Sequence, residues 1–142
     1  MLSCLIKPDS WDAFVNGCSI LKDSMEVKKR IGVVPQDVPL YPTLSAQENL
    51  SFFGKMYWLT GSKLRERVDE VLEVVGLEDR KKEAINKYSG GMKRRINITV
   101  GLLPLPQLLI LDEPTVGVDP LSRINILETL KDLNKKKLDN PL

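Results

Sequence analysis

Leu108-Leu109-Ile110-Leu111-Asp112-Glu113-Pro114 is the stretch on which the fold turns. An unbroken aliphatic run of this kind is what a strand buried on both faces of a parallel sheet requires. It ends in two adjacent carboxylates, and in open α/β sheets ligands bind just beyond the carboxyl ends of the strands. A carboxylate there can hold Mg²⁺, directly or through water, while its neighbour orients an attacking water. Taken alone, the same residues are explained equally well by a strand whose polar end starts a turn. The decision rests on what surrounds them.

Downstream, Asp119 and Pro120 supply an N-cap and a first-turn proline for a helix running to about Lys136. Upstream, Tyr88-Ser89-Gly90-Gly91-Met92 opens a helix at Gly90 that carries Met92, Ile96, Val100 and Leu103 on one side. Two glycines at a helix start let a ligand approach the backbone, and the free N–H groups with the positive dipole end favour a phosphate. By itself Ser-Gly-Gly is more often a plain loop. Further back, Leu64, Val68, Val71, Leu72 and Val75 recur at helical spacing between Lys63 and Val75, and Gly76 closes that helix. Ser45 and Glu48 form a capping box ahead of Leu50, Phe53 and Tyr57.

Ile31-Gly32-Val33-Val34 reads as a strand, and the prolines at 35, 39 and 42 make Pro35 to Thr43 a loop. Asp12-Ala13-Phe14-Val15 reads as a short strand closed by the turn pair Asn16-Gly17. The opening residues finish a helix that Pro8 stops. Strand, strand, helical insert, strand, helix is an α/β order.

Composition narrows the function classes. A chain of 142 residues makes one domain, and 42% apolar with 28% charged residues is ordinary for a globular protein. A net charge of +2 is too small to imply nucleic acid or an anionic membrane as partner. Cys4 and Cys18 lack metal-site spacing and point to a reducing cytosol, and no apolar run approaches the roughly 18 residues of a membrane span. The start does not resemble a signal peptide. Lys93-Arg94-Arg95 reads as a solvated basic face.

Val34-Pro35-Gln36, Tyr88-Ser89-Gly90-Gly91-Met92, Leu109-Ile110-Leu111-Asp112-Glu113-Pro114 and Val118-Asp119-Pro120, in this order, resemble the Q-loop, signature motif, Walker B strand and D-loop of ABC ATPases. The resemblance covers nearly the whole chain. It implies an α/β P-loop NTPase fragment: a single partial domain over 1–142, with a helical signature subdomain at about 45–103 and the Walker B strand, D-loop and following helix at 104–142. It implies ATP and Mg²⁺ as cofactors. Gln36 would contact Mg²⁺ and the attacking water, Asp112 would help hold Mg²⁺, and Glu113 would be the general base or water-orienting carboxylate. Ser89, Gly90 and Gly91 would touch the γ-phosphate of ATP bound on a partner subunit, with Asp119 at the dimer interface. The expected partners are ABC transmembrane subunits and a second nucleotide-binding domain, on the cytoplasmic, inner face of the cell membrane. Tyr88 to Arg95, with Glu48-Asn49-Leu50, resembles the drug- and lipid-exporting systems, whose signature commonly ends in Met.

The pattern also has gaps. No GxxxxGK[ST] loop occurs, so the chain is expected to begin just past it, and there is no histidine to serve as the switch residue. Trp11 and Trp58 stand where relatives typically have glycine, and Pro104-Leu105-Pro106 and the tail from Lys137 to Leu142 are unusual. The expectation is a truncated exporter ATPase, inactive by itself. The alternatives are a non-catalytic interaction module that presents the signature face to a partner, and a soluble ABC protein of translation or DNA repair.

Overall fold

Asn16 and Gly17 both have positive φ, 48° and 80°. A two-residue turn of that hand matches the right-handed twist of the strands it joins. Here it joins β1 (Phe14–Val15) to an antiparallel β2 (Cys18–Ser19). The computed structural model describes residues 12–36, 40–114, 119–121, 123, 124, 126–128 and 131. The expectations for the opening helix with its stop at Pro8, for Trp11, Pro39 and Val118, and for the chain from 132 onward lie outside these residues.

A helix absent from the sequence expectations follows, α1 (Ser24–Arg30), running directly into β3 (Ile31–Val34). Val27 is its one buried residue, which is too little to create an apolar period. Its charge order was the available signal: Glu26 in the first turn and Lys28, Lys29 and Arg30 in the last complement the helix dipole. Val15, Ile20, Val27 and Ile31 make a small core of their own.

The second strand of the central pair comes much later. β4 (Leu108–Leu111) lies parallel to β3 in the register Ile31↔Leu108 to Val34↔Leu111. Between them come α2 (Ala46–Met56), α3 (Gly61–Val74) and α4 (Gly90–Leu102), the expected helical insert. The α/β reading stands. One detail of it does not: β4 was expected to be buried on both faces, yet Leu108 is exposed and Leu109 to Leu111 are half-buried. The described sheet has only β3 and β4, so each strand has a single paired edge.

The capping box at α2 forms in both directions. Ser45 Oγ accepts from the Glu48 N–H at 3.2 Å, and Glu48 Oε2 accepts from the Ser45 N–H at 2.8 Å. The next residue, Asn49, is fully buried; its amide accepts from the Tyr41 N–H at 2.8 Å and donates to the Tyr41 and Ser45 carbonyls. One side chain thereby fastens the end of the preceding loop to α2 and gives partners to backbone groups there. Leu50 then enters the main core, whereas Tyr57, read as part of the apolar face, lies past the helix end and is exposed.

α4 was expected to bury one side. It is buried all round except at Gly90, Lys93 and Arg95, because it packs on α2 and α3 and also on β3 and β4. Two glycines permit the strand contact. A Cβ on Gly32 would collide with the Gly101 carbonyl, and one on Gly101 with the Val34 side chain. Val34 and Ile126, from the helix that begins at Pro120, join Leu50, Leu72, Ile96 and Leu103 in the main core. Each such side chain contributes about 1.5–3 kcal/mol by leaving water. Among the described residues no helix is long and apolar enough to cross a membrane.

Candidate functional site

Parallel pairing sets the two strand ends side by side. β3 delivers Pro35-Gln36 and β4 delivers Asp112-Glu113-Pro114, and the Asp112 N–H donates to the Val34 carbonyl at 3.0 Å. Gln36, Asp112 and Glu113 are all exposed at that edge. Glu113 has a φ of 43°, a conformation that costs a residue with a Cβ roughly 1–2 kcal/mol.

The start of α4 is built with equal definition. Ser89 is its N-cap and its Oγ accepts from the Met92 N–H at 3.2 Å. Ser89 and Gly90 are exposed and Gly91 is buried. A Cβ on Gly90 would meet nothing within 4 Å, so the chain's own packing does not require glycine there. The flanking residues Tyr88 and Met92 are buried and share one partner. Arg80 donates to the Met92 sulfur at 3.3 Å, and its guanidinium lies 5.6 Å from the Tyr88 ring centroid. The Tyr88 hydroxyl donates to the Arg80 carbonyl at 2.7 Å. Glu83 fixes Arg80 through two hydrogen bonds, 3.0 and 2.7 Å, which hold the Glu83 carboxyl below its ordinary pKa. A polarizable thioether suits this buried place at the motif's last position.

The basic run is where the sequence reading is corrected. Lys93 is exposed as expected, but Arg94 is only 6% exposed. Its Nη1 donates to the carbonyls of Pro35 at 2.9 Å and Gln36 at 2.7 Å, its Nη2 to Asp112 at 2.7 Å, and its Nε to Pro114 at 3.1 Å. Arg95 is half-buried, donating from Nη1 to the Val75 carbonyl at 2.8 Å, and burial pushes its guanidinium below the ordinary value. A buried guanidinium needs carbonyl or carboxylate partners for its fork of donors, and the two strand ends supply carbonyls. Gly91, Arg94, Ile98 and Gly101 share one face of α4, but with the helix buried nearly all round that spacing alone does not single Arg94 out.

Gln36, Asp112 and Glu113 thus lie at neighbouring strand ends, and through Arg94, one turn past Ser89-Gly90-Gly91, α4 is joined to the carbonyls of Gln36, Asp112 and Pro114. Asp119 is exposed at the start of the following helix, where its carbonyl accepts from the Arg123 N–H at 2.9 Å. Residues 115–118, which separate it from Pro114, are outside the described set. Among the described residues no group of three or more His, Cys, Asp or Glu can hold a metal ion, and Cys18 is a free thiol.

The sequence profile described as ABC transporter matches residues 1–116. The chain belongs to the ABC transporter family. It is 55% identical over 135 residues to the linearmycin resistance ATP-binding protein LnrL of Bacillus subtilis, covering 95% of this chain and 43% of that one. It is 35% identical to the daunorubicin resistance ATP-binding protein DrrA3 of Streptomyces coeruleorubidus, covering 94% of this chain and 42% of that one. Among solved structures it resembles cbiO1 of Clostridium perfringens, part of the ABC transporter complex cbiONQ, with a TM-score of 0.83 and 31% identity over 95% of this chain and 55% of that one. It also resembles the ATP-binding cassette MJ0796 in a dimeric, post-hydrolysis state bound to ADP and Pi, with a TM-score of 0.74 and 28% identity over 95% of this chain and 62% of that one. The chain spans less than half the length of these two resistance proteins.

Proposed function

We propose that this chain is the signature-bearing part of an ATP-hydrolysing subunit of an ABC exporter. It would work on the cytoplasmic face of the cell membrane with transmembrane subunits and a second nucleotide-binding domain. The observation that carries the proposal is the common origin of Gln36 and Asp112-Glu113 at adjacent parallel strand ends, with the start of α4 tied to both. The resistance functions in the names of its relatives support drug-like cargo.

The residues present fit Mg²⁺ in the manner usual for that ion with a nucleotide. It takes one or two carboxylates, and phosphates and water complete its octahedron. Asp112 would be the carboxylate that helps hold it, with Gln36 beside it, and Glu113 would orient the attacking water. When bound, ATP with Mg²⁺ supplies the phosphoryl group and neutralises the charge that develops on it. Ser89, Gly90 and Gly91 would face the γ-phosphate of ATP on the partner, where exposed N–H groups and the helix dipole favour an anion. The open space above Gly90 supports close approach from outside the chain. Asp119 would lie at the contact with the second domain.

In such a dimer the signature face of this chain would complete a site whose phosphate loop is on another subunit. The test is capture of this chain by an intact subunit of the same transporter. Capture should require MgATP and be abolished by Gly91→Asp, which sets a negative group against the γ-phosphate. Association that is equally strong without nucleotide, or indifferent to Gly91→Asp, overturns the proposal.

A further inference from the structure

Glu113 is held in the left-handed region of backbone space, which any side chain with a Cβ disfavours. Arg94 donates to the carbonyls on both sides of it, Asp112 at 2.7 Å and Pro114 at 3.1 Å. Rotation about either backbone bond of Glu113 swings one of these carbonyls relative to the other. The ring of Pro114 fixes its own φ, so holding both carbonyls on one planar guanidinium restrains the rotation about Glu113 between them. The same guanidinium also holds Pro35 and Gln36 by their carbonyls.

We infer that Arg94 is a positioning residue, whose guanidinium keeps Glu113 left-handed and sets Gln36 and Glu113 in one frame with the start of α4. The fork of donors is rigid, so a displacement of α4 carries both strand ends with it. Lysine cannot substitute, because its ammonium offers three donors from a single nitrogen, whereas the guanidinium reaches four carbonyls from three nitrogens. The consequence for hydrolysis rests on the reading of Glu113 as the water-orienting carboxylate, but the geometry does not.

The test is NMR spectroscopy of the isotope-labelled 142-residue chain without nucleotide. In the parent, the Glu113 carbon shifts and amide–Hα coupling should report a left-handed residue. In Arg94→Met they should move to the pattern of a negative φ, with carbonyl shifts changing at Pro35, Gln36, Asp112 and Pro114 while α3 keeps its spectrum. Arg94→Lys, which preserves the charge, should lose the Glu113 signature as well, and it decides the matter if Arg94→Met does not fold. A Glu113 that stays left-handed in either folded variant overturns the inference, as does a change spread evenly through α3. MgATP takes no part in this measurement. An unchanged Glu113 thus leaves the ATP-dependent capture standing, and failed capture leaves Arg94's role standing.

Discussion

Residues 40–103 and the β3–β4 pair are held in place by different means. The helical region closes its own ends. α2 begins in a two-way capping box, Asn49 fastens the loop before it, and both α2 and α3 finish in the same pair of backbone hydrogen bonds. β3 is largely buried but β4 is half-exposed, and the groups proposed for chemistry lie exposed just past the two strand ends. There the backbone is held by a side chain from the helical region, Arg94, more than by packing of its own. Packing makes the helical region rigid, and hydrogen bonds lend that rigidity to an edge that must stay open to a ligand.

The join between the two regions should be the most sensitive place to break. Gly101→Val drives a branched side chain into Val34 and β3, and is expected to cost about 3 kcal/mol as overpacking. Urea unfolding measures it, and a loss under about 0.5 kcal/mol would mean that α4 and β3 can separate without penalty. Within the helical region, Asn49→Ala takes the partner from the Tyr41 N–H and the Tyr41 and Ser45 carbonyls, at an expected cost of about 2 kcal/mol. That loss should fall on the loop from Leu40 to Ser45, visible as faster amide exchange there than in α3.

The smallest effects sharpen a contrast inside the helical region. At the end of α3, Gly76 donates to the Glu73 carbonyl and Leu77 to the Leu72 carbonyl. At the end of α2, Trp58 donates to the Lys55 carbonyl and Leu59 to the Gly54 carbonyl. The motif is the same, and the residue that must be left-handed is Gly76 in one and Trp58 in the other, with φ of 61° and 63°. Trp58 is 90% exposed, so burial does not compensate it. Gly76→Ala should therefore destabilise by about 1 kcal/mol and Trp58→Gly stabilise by about 0.5–1 kcal/mol. A Trp58→Gly variant that melts below the parent would show that the indole stabilises the helix end in a way its exposure does not suggest.

Much of this was legible in the sequence. The bounds of β3 and β4 match the aliphatic runs, the Ser45–Glu48 cap forms as spaced, and Ser89 caps a helix beginning at Gly90. The Asn16-Gly17 turn was likewise readable from residue chemistry, and the resemblance marked Trp58 as a place for glycine, where φ is indeed positive. α1 was not, because one buried valine makes no period. The Pro104-Leu105-Pro106 stretch marked only an irregularity. It proves to be the turn between α4 and β4, with Leu105 left-handed at φ 54° and the Gln107 N–H donating to the Arg30 carbonyl at 2.7 Å.

The sequence by itself determined most of the elements and the family, because apolar spacing, caps and turn residues act over a few neighbours, and four motifs in order are specific. It also named Gln36, Ser89, Gly90, Gly91, Asp112, Glu113 and Asp119 as candidates through the resemblance. Only the tertiary structure decided what Arg94 does. In a basic triplet each residue reads alike, and which one is buried depends on how α4 is rotated against β3 and β4. That rotation is set by the contact of Gly101 with Gly32 and Val34, residues more than 60 positions apart in the chain. Long-range contacts of this kind leave no local trace, since the partners of a side chain are settled by the fold and not by its neighbours in sequence.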